Sequence, residues 1–284
     1  MMTTRTIASV ELATNEHVGS FSIKNVFPTR NLKQVDPFLL VHHMPSTELK
    51  PGSDTRIPPH PHAGFDVMTY LLEGEFFHRD SQGHDQIAGA GDINWMSAGA
   101  GIVHSEGPTS QMLQKGGKVQ LLQIWINLPA EKKHGAPVFH HYNSASLPKL
   151  QKEVYSLKVV LGKFGDYTSP VATQTPMFLY HLQLRKGQPV TLPVDPSYTS
   201  ALYIMKGSLQ VLNSKPVAGE LVNFEMNGDQ VSFTAIEDAE LILLGGAPIK
   251  EKVVSYGPFV MNSLEEVQGA IADYESGRMG TLSY

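Results

Sequence analysis

Two short runs of this sequence carry side chains that could do chemistry together: His60-Pro61-His62 and His104-Ser105-Glu106. In an extended chain residues i and i+2 point to the same side, so each run can present both of its polar side chains to one cavity. Pro61 favours that extended conformation for His60. Together the runs offer three imidazoles and a carboxylate, a donor set suited to Fe, Ni, Cu or Zn. An ion preferring five or six ligands would keep positions open for water, dioxygen or a substrate oxygen, whereas a tetrahedral zinc would be closed and structural. A lone His-x-His is more often a solvated or hydrogen-bonded pair; two such pairs, each beside a turn, argue for a site. Of the 12 His, ten lie between His42 and His141, with His17 before them and His181 after. With no Cys, disulfides, iron–sulfur clusters, Cys-type zinc fingers and thiol nucleophiles are excluded.

The elements that must position these residues read as β-strands: short apolar or alternating runs at 38–41, 67–72, 119–128, 154–161, 178–184, 201–205 and 240–244, punctuated by Gly, Pro, Asn and Asp. Helical signal is concentrated at the end. Ser263 with Glu266 forms a capping-box pattern, Leu264, Val267, Ile271 and Tyr274 share one face, and Gly277 marks a stop. The stretch from Ala145 to Glu153 reads as a linker or short helix. Tyr70-Leu71-Leu72-Glu73-Gly74 resembles Tyr203-Ile204-Met205-Lys206-Gly207, and Ala90-Gly91-Asp92 resembles Ala218-Gly219-Glu220, which suggests an internal duplication. Two domains are therefore expected, 1–145 carrying the metal ligands and 146–284 ending in the helix.

A chain of 284 residues with 41% hydrophobic and 17% charged residues has the composition of a globular protein and can build two cores. Its net charge of −5 is spread without long runs, so no direct binding of nucleic acid or of an anionic membrane is expected. The alternating N-terminus does not read as a secretory signal, and no stretch approaches a membrane span. A cytoplasmic location is the expectation.

Several longer stretches make the sequence similar to the pirin family of the cupin superfamily. They are 36–40, His60-Pro61-His62 with Gly64-Phe65, Thr69 to Gly74, His78-Arg79-Asp80-Ser81, Gly91 to Glu106 with Trp95-Met96, Gln123 to Ala130, Gly257 to Asn262 and Gly277 to Gly280. The resemblance implies an all-β bicupin: two cupin, jelly-roll-like β-barrels in tandem with a short C-terminal helix. It implies one metal, most often Fe(II), in the first barrel, held by His60, His62, His104 and Glu106. Many cupins take the carboxylate from the first motif, where Asp66 stands here; the pirin pattern and the face shared with His104 favour Glu106. Ala63 and Ala100 occupy positions where pirins frequently carry Arg. Shifted by the repeat offsets, the four ligand positions become Pro193, Asp195, Ser232 and Thr234, so the second barrel is expected to be metal-free.

Pirins are associated with quercetin 2,3-dioxygenase activity, and the resemblance implies a metal-dependent oxidoreductase using dioxygen and a flavonol-like aromatic substrate. Glu106 would then be the catalytic proton acceptor for the flavonol hydroxyl. The alternative implied by the family is a metal-dependent, redox-sensitive binding protein that modulates a transcription factor or enzyme; a third is a cupin isomerase using the metal as a Lewis acid. Gln123 and Trp125 could line the cavity. His43 and His78 read as surface residues or as groups behind the ligands, and Phe65, Met44, Met68 and Met96 as packing.

Overall fold

The computed structural model describes residues 2–283. The chain divides into two compact units. The histidine-bearing unit comprises Asn15–Lys24, Leu40–Ser144 and the segment from Ile249 onward; the other comprises the segment up to Thr14, Asn25–Leu39 and Ala145–Pro248. One segment boundary falls at Ala145, and neither unit is a contiguous half. The reason is strand pairing: Ile7–Leu12 lies antiparallel to Glu220–Phe224, with Val10 opposite Val222, while Phe259 bridges to Ala63.

Ligand geometry in the first unit depends on a four-stranded sheet ordered Ile57–His62, Ile102–Pro108, Glu75–Asp80, Asp85–Gly89. It is backed by a larger sheet in which Phe65–Glu73 is central, between Ile93–Ser97 and Gly117–Asn127. Burial on both faces explains why 67–71 reads as a continuous apolar run broken only by Thr69. Leu71, Phe76, Val119 and Leu121 pack in a core between the strands with Phe21, Ile23 and Met44. The second unit pairs a seven-stranded sheet with a three-stranded one, Pro189–Pro193, Gln230–Ala235 and Leu209–Gln210. Its core includes Leu157, Tyr180, Leu202, Val222, Phe233 and Leu241. Among the described residues no sheet closes on itself, so the expected barrels are β-sandwiches of two sheets with free edges, a form the jelly-roll family also takes.

The duplication is visible as repeated backbone geometry. Gly91 donates its N–H to Leu71 at 2.7 Å, and Gly219 donates to Ile204 at 2.8 Å. Gly74 and Gly207 turn at φ +87° and +83°, and a Cβ at either would lie 2.4 or 2.5 Å from a facing carbonyl oxygen, of Lys118 or Asp238. Only glycine fits both constraints. In the first unit His104 stands opposite His60; in the second, Ser232 stands opposite Thr191, and the two hydroxyls hydrogen-bond each other.

The helix spans Leu264–Glu275 and is capped as expected: Ser263 Oγ accepts from Glu266 N at 3.2 Å, and Gly277 follows at φ +77°. Its buried face is narrower than the pattern suggests. Val267 and Ala270 are buried, whereas Leu264 and Tyr274 are exposed. Rather than closing residues 146–284, the helix packs with Ala63, Val103 and Met279 in the histidine-bearing unit. Ala63 donates to Pro258 O at 3.2 Å and accepts from Val260 N at 3.0 Å, so an Arg side chain here would meet the C-terminal segment instead of solvent.

One buried cation fastens this segment. Lys133, fully buried, donates to Gly64 O at 2.7 Å, Asn127 Oδ1 at 2.6 Å and Val260 O at 3.1 Å, satisfying all three ammonium protons. Burial pushes its pKa down to about 8, against the raising effect of Glu251, Glu266 and Asp66. Lys133→Met leaves three buried acceptors without a donor and is expected to lower stability by roughly 2–3 kcal/mol. Both tryptophans, Trp95 and Trp125, lie in this unit, so denaturant unfolding followed by tryptophan fluorescence checks the expectation.

Candidate metal centre

The antiparallel register of Ile57–His62 with Ile102–Pro108 sets His60 directly across from His104 and His62 across from Ile102. The three rings meet closely: centroids lie 4.9 Å apart for His60–His62, 4.3 Å for His60–His104 and 4.9 Å for His62–His104. One nitrogen from each falls within 4.8 Å of the others. His62 and His104 are buried and His60 half-buried. Desolvation, reinforced by the neighbouring histidines, holds His62 and His104 well below the usual imidazole pKa. They are neutral at pH 7 and their lone pairs are available.

Hydrogen bonding decides where those lone pairs point. A carbonyl only accepts, so the 2.8 Å contact of His60 Nδ1 with Pro58 O makes Nδ1 the protonated nitrogen and leaves Nε2 bare in the neutral ring. His104 is engaged through Nδ1, 3.4 Å from His78 Nδ1, and its buried Nε2 has no hydrogen-bond partner. Neither ring nitrogen of His62 makes a hydrogen bond of ordinary geometry, although the Pro258 carbonyl is near enough to favour protonation weakly. Clustered buried imidazole nitrogens without partners are costly in a protein interior unless something binds them. A single transition-metal ion matches the donor type, spacing and neutrality.

Glu106 follows on the same strand. In the uninterrupted pairing of Ile102–Pro108 with Glu75–Asp80, His104 faces Asp80 and Glu106 faces His78, so strand alternation puts all four on one side. The carboxylate is buried. Gln123 Nε2 donates to Oε1 at 2.5 Å and Thr69 Oγ1 to Oε2 at 3.4 Å, and these two residues are themselves cross-strand partners. Asp66 sits three positions from Thr69 on the strand and so on its opposite face, where Ser97 and Lys133 lower its pKa less than burial raises it, to about 7. Trp125 closes the other side, its ring 5.3 Å from His62 and 4.4 Å from Phe65.

Glu106 and Gln123 also line a cavity with Phe21, Ile23, His42 and Met44. Its open space is about 20 Å³, room for about one water molecule. His42, drawn down to about 4 by desolvation against the pull of Glu16, is uncharged there at neutral pH. His43 and His78, for which the sequence favours the surface, are both buried, His43 within 3.0 Å of Gln120 Nε2 and His78 behind His104. Thr69 and Asp80 escape sequence reasoning as site residues, although both lie in the stretches that carry the family resemblance.

Family models corroborate this architecture: residues 20–126 match pirin and residues 179–280 the pirin C-terminal cupin domain. The chain belongs to the pirin family. Human pirin is 32% identical over 97% of this chain and 93% of its own, and pirin-1 of Arabidopsis thaliana 35% identical over 91% and 88%. A Pseudomonas aeruginosa protein provisionally assigned as a quercetin 2,3-dioxygenase is 32% identical over 93% and 94%. A crystal structure of quercetin 2,3-dioxygenase from Acinetobacter baumannii superposes with a TM-score of 0.94 at 28% identity, covering 99% of this pirin and all of that chain. No helix among the described residues is long and apolar enough to cross a membrane.

Two measurements follow from the centre. Replacing His60, His62 or His104 singly by Ala is expected to cut bound metal at least about tenfold, read by elemental analysis of protein purified without added metal. For Asp66, the native carboxyl titrates near 7 and an unfolded one near 3.9. Between about pH 4 and 7 the native state therefore holds a proton that the unfolded state has released, and stability falls as pH rises through that window. In Asp66→Asn this dependence is expected to flatten, checked by denaturant midpoints from pH 4 to 8.

Proposed function

We propose that this pirin is a metal-dependent dioxygenase of the quercetin 2,3-dioxygenase type, with iron held by His60, His62, His104 and Glu106 in a cupin jelly roll. The observation that carries the reading is the shared strand face: Glu106 is aligned with His104 and at the same time lines the apolar cavity. Bound iron would supply Lewis acidity, lowering the pKa of a coordinated hydroxyl, and redox activity toward dioxygen. The protein's own contributions are positional. Gln123 and Thr69 hold the buried Glu106 carboxylate by hydrogen bonds to its two oxygens, in a position where it can accept the proton of a flavonol hydroxyl. Phe21, Ile23 and Met44 offer an apolar face to the aromatic rings, and uncharged His42 adds a polar group that can donate or accept a hydrogen bond. The relatives assigned to quercetin oxidation support the same substrate class.

The small cavity favours a second reading. A three-ring flavonol does not fit into space for about one water, so Met44, an unbranched and adaptable side chain, and its neighbours must move to admit it. A protein that does not admit such a substrate would act as the metal-dependent, redox-sensitive modulator of a protein partner.

Oxygen consumption separates the two. Iron-loaded protein is expected to take up dioxygen only when a flavonol is added, with His60→Ala inactive and Glu106→Gln slowed at least about 100-fold at saturating iron. No uptake across several flavonols, or equal uptake by His60→Ala, would overturn the dioxygenase reading. A pull-down in which a partner is kept by only the metal-loaded or only the apo form would instead support modulation.

A further inference from the structure

Behind His104 lies a chain of polar groups that the dioxygenase reading does not use. His104 Nδ1 is 3.4 Å from His78 Nδ1, and His78 Nε2 is 3.0 Å from Asp80 Oδ2. His78 and Asp80 are buried, and Phe139 stacks on the His78 ring at 4.3 Å and 9°, fixing its plane. Asp80 is itself held on several sides. Its Oδ1 accepts from the backbone N–H of Gln82 at 2.9 Å and of His84 at 3.1 Å, and His84 Nδ1 lies 3.0 Å from Oδ1 and 2.9 Å from Oδ2. Burial pushes the Asp80 carboxyl up, but the hydrogen bonds from His78 and His84 outweigh it and hold it below the usual carboxylate value.

Donor and acceptor roles can be assigned by elimination. An ionised carboxylate only accepts, so His78 Nε2 carries its proton toward Asp80. In neutral His78 the other nitrogen, Nδ1, is then an acceptor. The facing nitrogen, His104 Nδ1, must donate, which leaves His104 Nε2 as a bare lone pair turned into the triad.

We propose that His78 and Asp80 are positioning residues that fix the tautomer of His104, so that Nε2 is presented to the metal without prior proton rearrangement. The inference rests on the triad being a metal centre, but not on which reaction that centre performs. A carboxylate behind a ligating histidine commonly contributes tenfold to a hundredfold in metal affinity; here the carboxylate acts through an intervening imidazole.

Asp80→Asn makes a specific test because the surroundings dictate how the amide would sit. The two backbone N–H groups at Oδ1 require an acceptor there, so the amide oxygen takes that place and the NH₂ faces His78 Nε2. A donor at that point reverses the chain: His78 Nδ1 becomes the donor, His104 Nδ1 the acceptor, and the proton moves to His104 Nε2, where it blocks the metal. We expect Asp80→Asn to weaken Fe(II) or Zn(II) binding, measured by chelator competition, by about 10- to 100-fold. His84→Gln, which leaves the Asp80 carboxylate and its bond to His78 in place, is expected to stay within about threefold of the parent, well short of the tenfold that marks loss of a group behind a ligand.

Affinity within twofold of the parent for Asp80→Asn would overturn the proposal, provided His104→Ala loses the metal. If His104→Ala keeps the metal, the centre itself is misassigned and both readings fall. Ring ¹⁵N shifts in the metal-free parent protein give a check that does not depend on any variant folding. The proposal requires His104 protonated at Nδ1 and His78 at Nε2; finding His104 protonated at Nε2 would overturn it.

Discussion

The centre depends on one strand register. Ile102–Pro108 is the shared strand of its sheet, paired on one side with Ile57–His62 and on the other with Glu75–Asp80. The first pairing sets His104 against His60; the second sets it diagonally beside His78. Because side chains alternate along a strand, a slip of one residue would turn His104 and Glu106 away from the cavity together. Every residue of this strand is buried, so its register is held by the two antiparallel pairings on either side and not by alternation between core and solvent.

Burial then determines the electrostatic state. Desolvation keeps His62 and His104 neutral without an added base, as a metal ligand must be. The same effect acting on Asp66 opposes charge, and Asp66 lies on the other face of its strand, close enough to Lys133 to feel its charge. Of the two carboxylates near the motif, Glu106 therefore shares the strand face of His104, beside but not within the cluster of three imidazoles, and Asp66 lies with the packing of the C-terminal segment. That segment encloses the centre from behind: Val260 and Phe259 flank Ala63, next to His62, and Lys133 binds strand, loop and segment at one point. Residues nearly 200 positions apart in sequence thus form one enclosure.

Much of the site was legible in local spacing. His60, His62 and His104 follow from two i, i+2 pairs, and Gln123 and Trp125 from alternation along one strand. The helix cap at Ser263 and the paired turns at Gly74 and Gly207 are likewise local, since each is set by a handful of consecutive residues. The burial of His78 and His43 was not legible, because a histidine in a strand has the same sequence signature whether it faces water or a buried neighbour. Asp80 is similar: next to the turn that follows it, an aspartate reads as turn chemistry, and only the strand pairing shows that it also ends a chain of imidazoles. The buried helix face was overestimated because four apolar positions define a stripe, but the neighbouring surface covers only Val267, Ala270 and part of Ile271.

The sequence by itself determined the three imidazoles, the β-strand character and the repeated turns, because these depend on residue type and on periodicity over a few positions. Tertiary structure alone decided which residues share a unit. The first strand pairs with one more than 200 residues away and the C-terminal helix returns to the metal-bearing unit, since exposed strand edges and apolar faces are satisfied by whichever partner topology brings near. It also decided the protonation pattern. A ligand's tautomer is set by the acceptor behind it, and that acceptor reaches His104 across a strand pair, beyond the reach of any local motif.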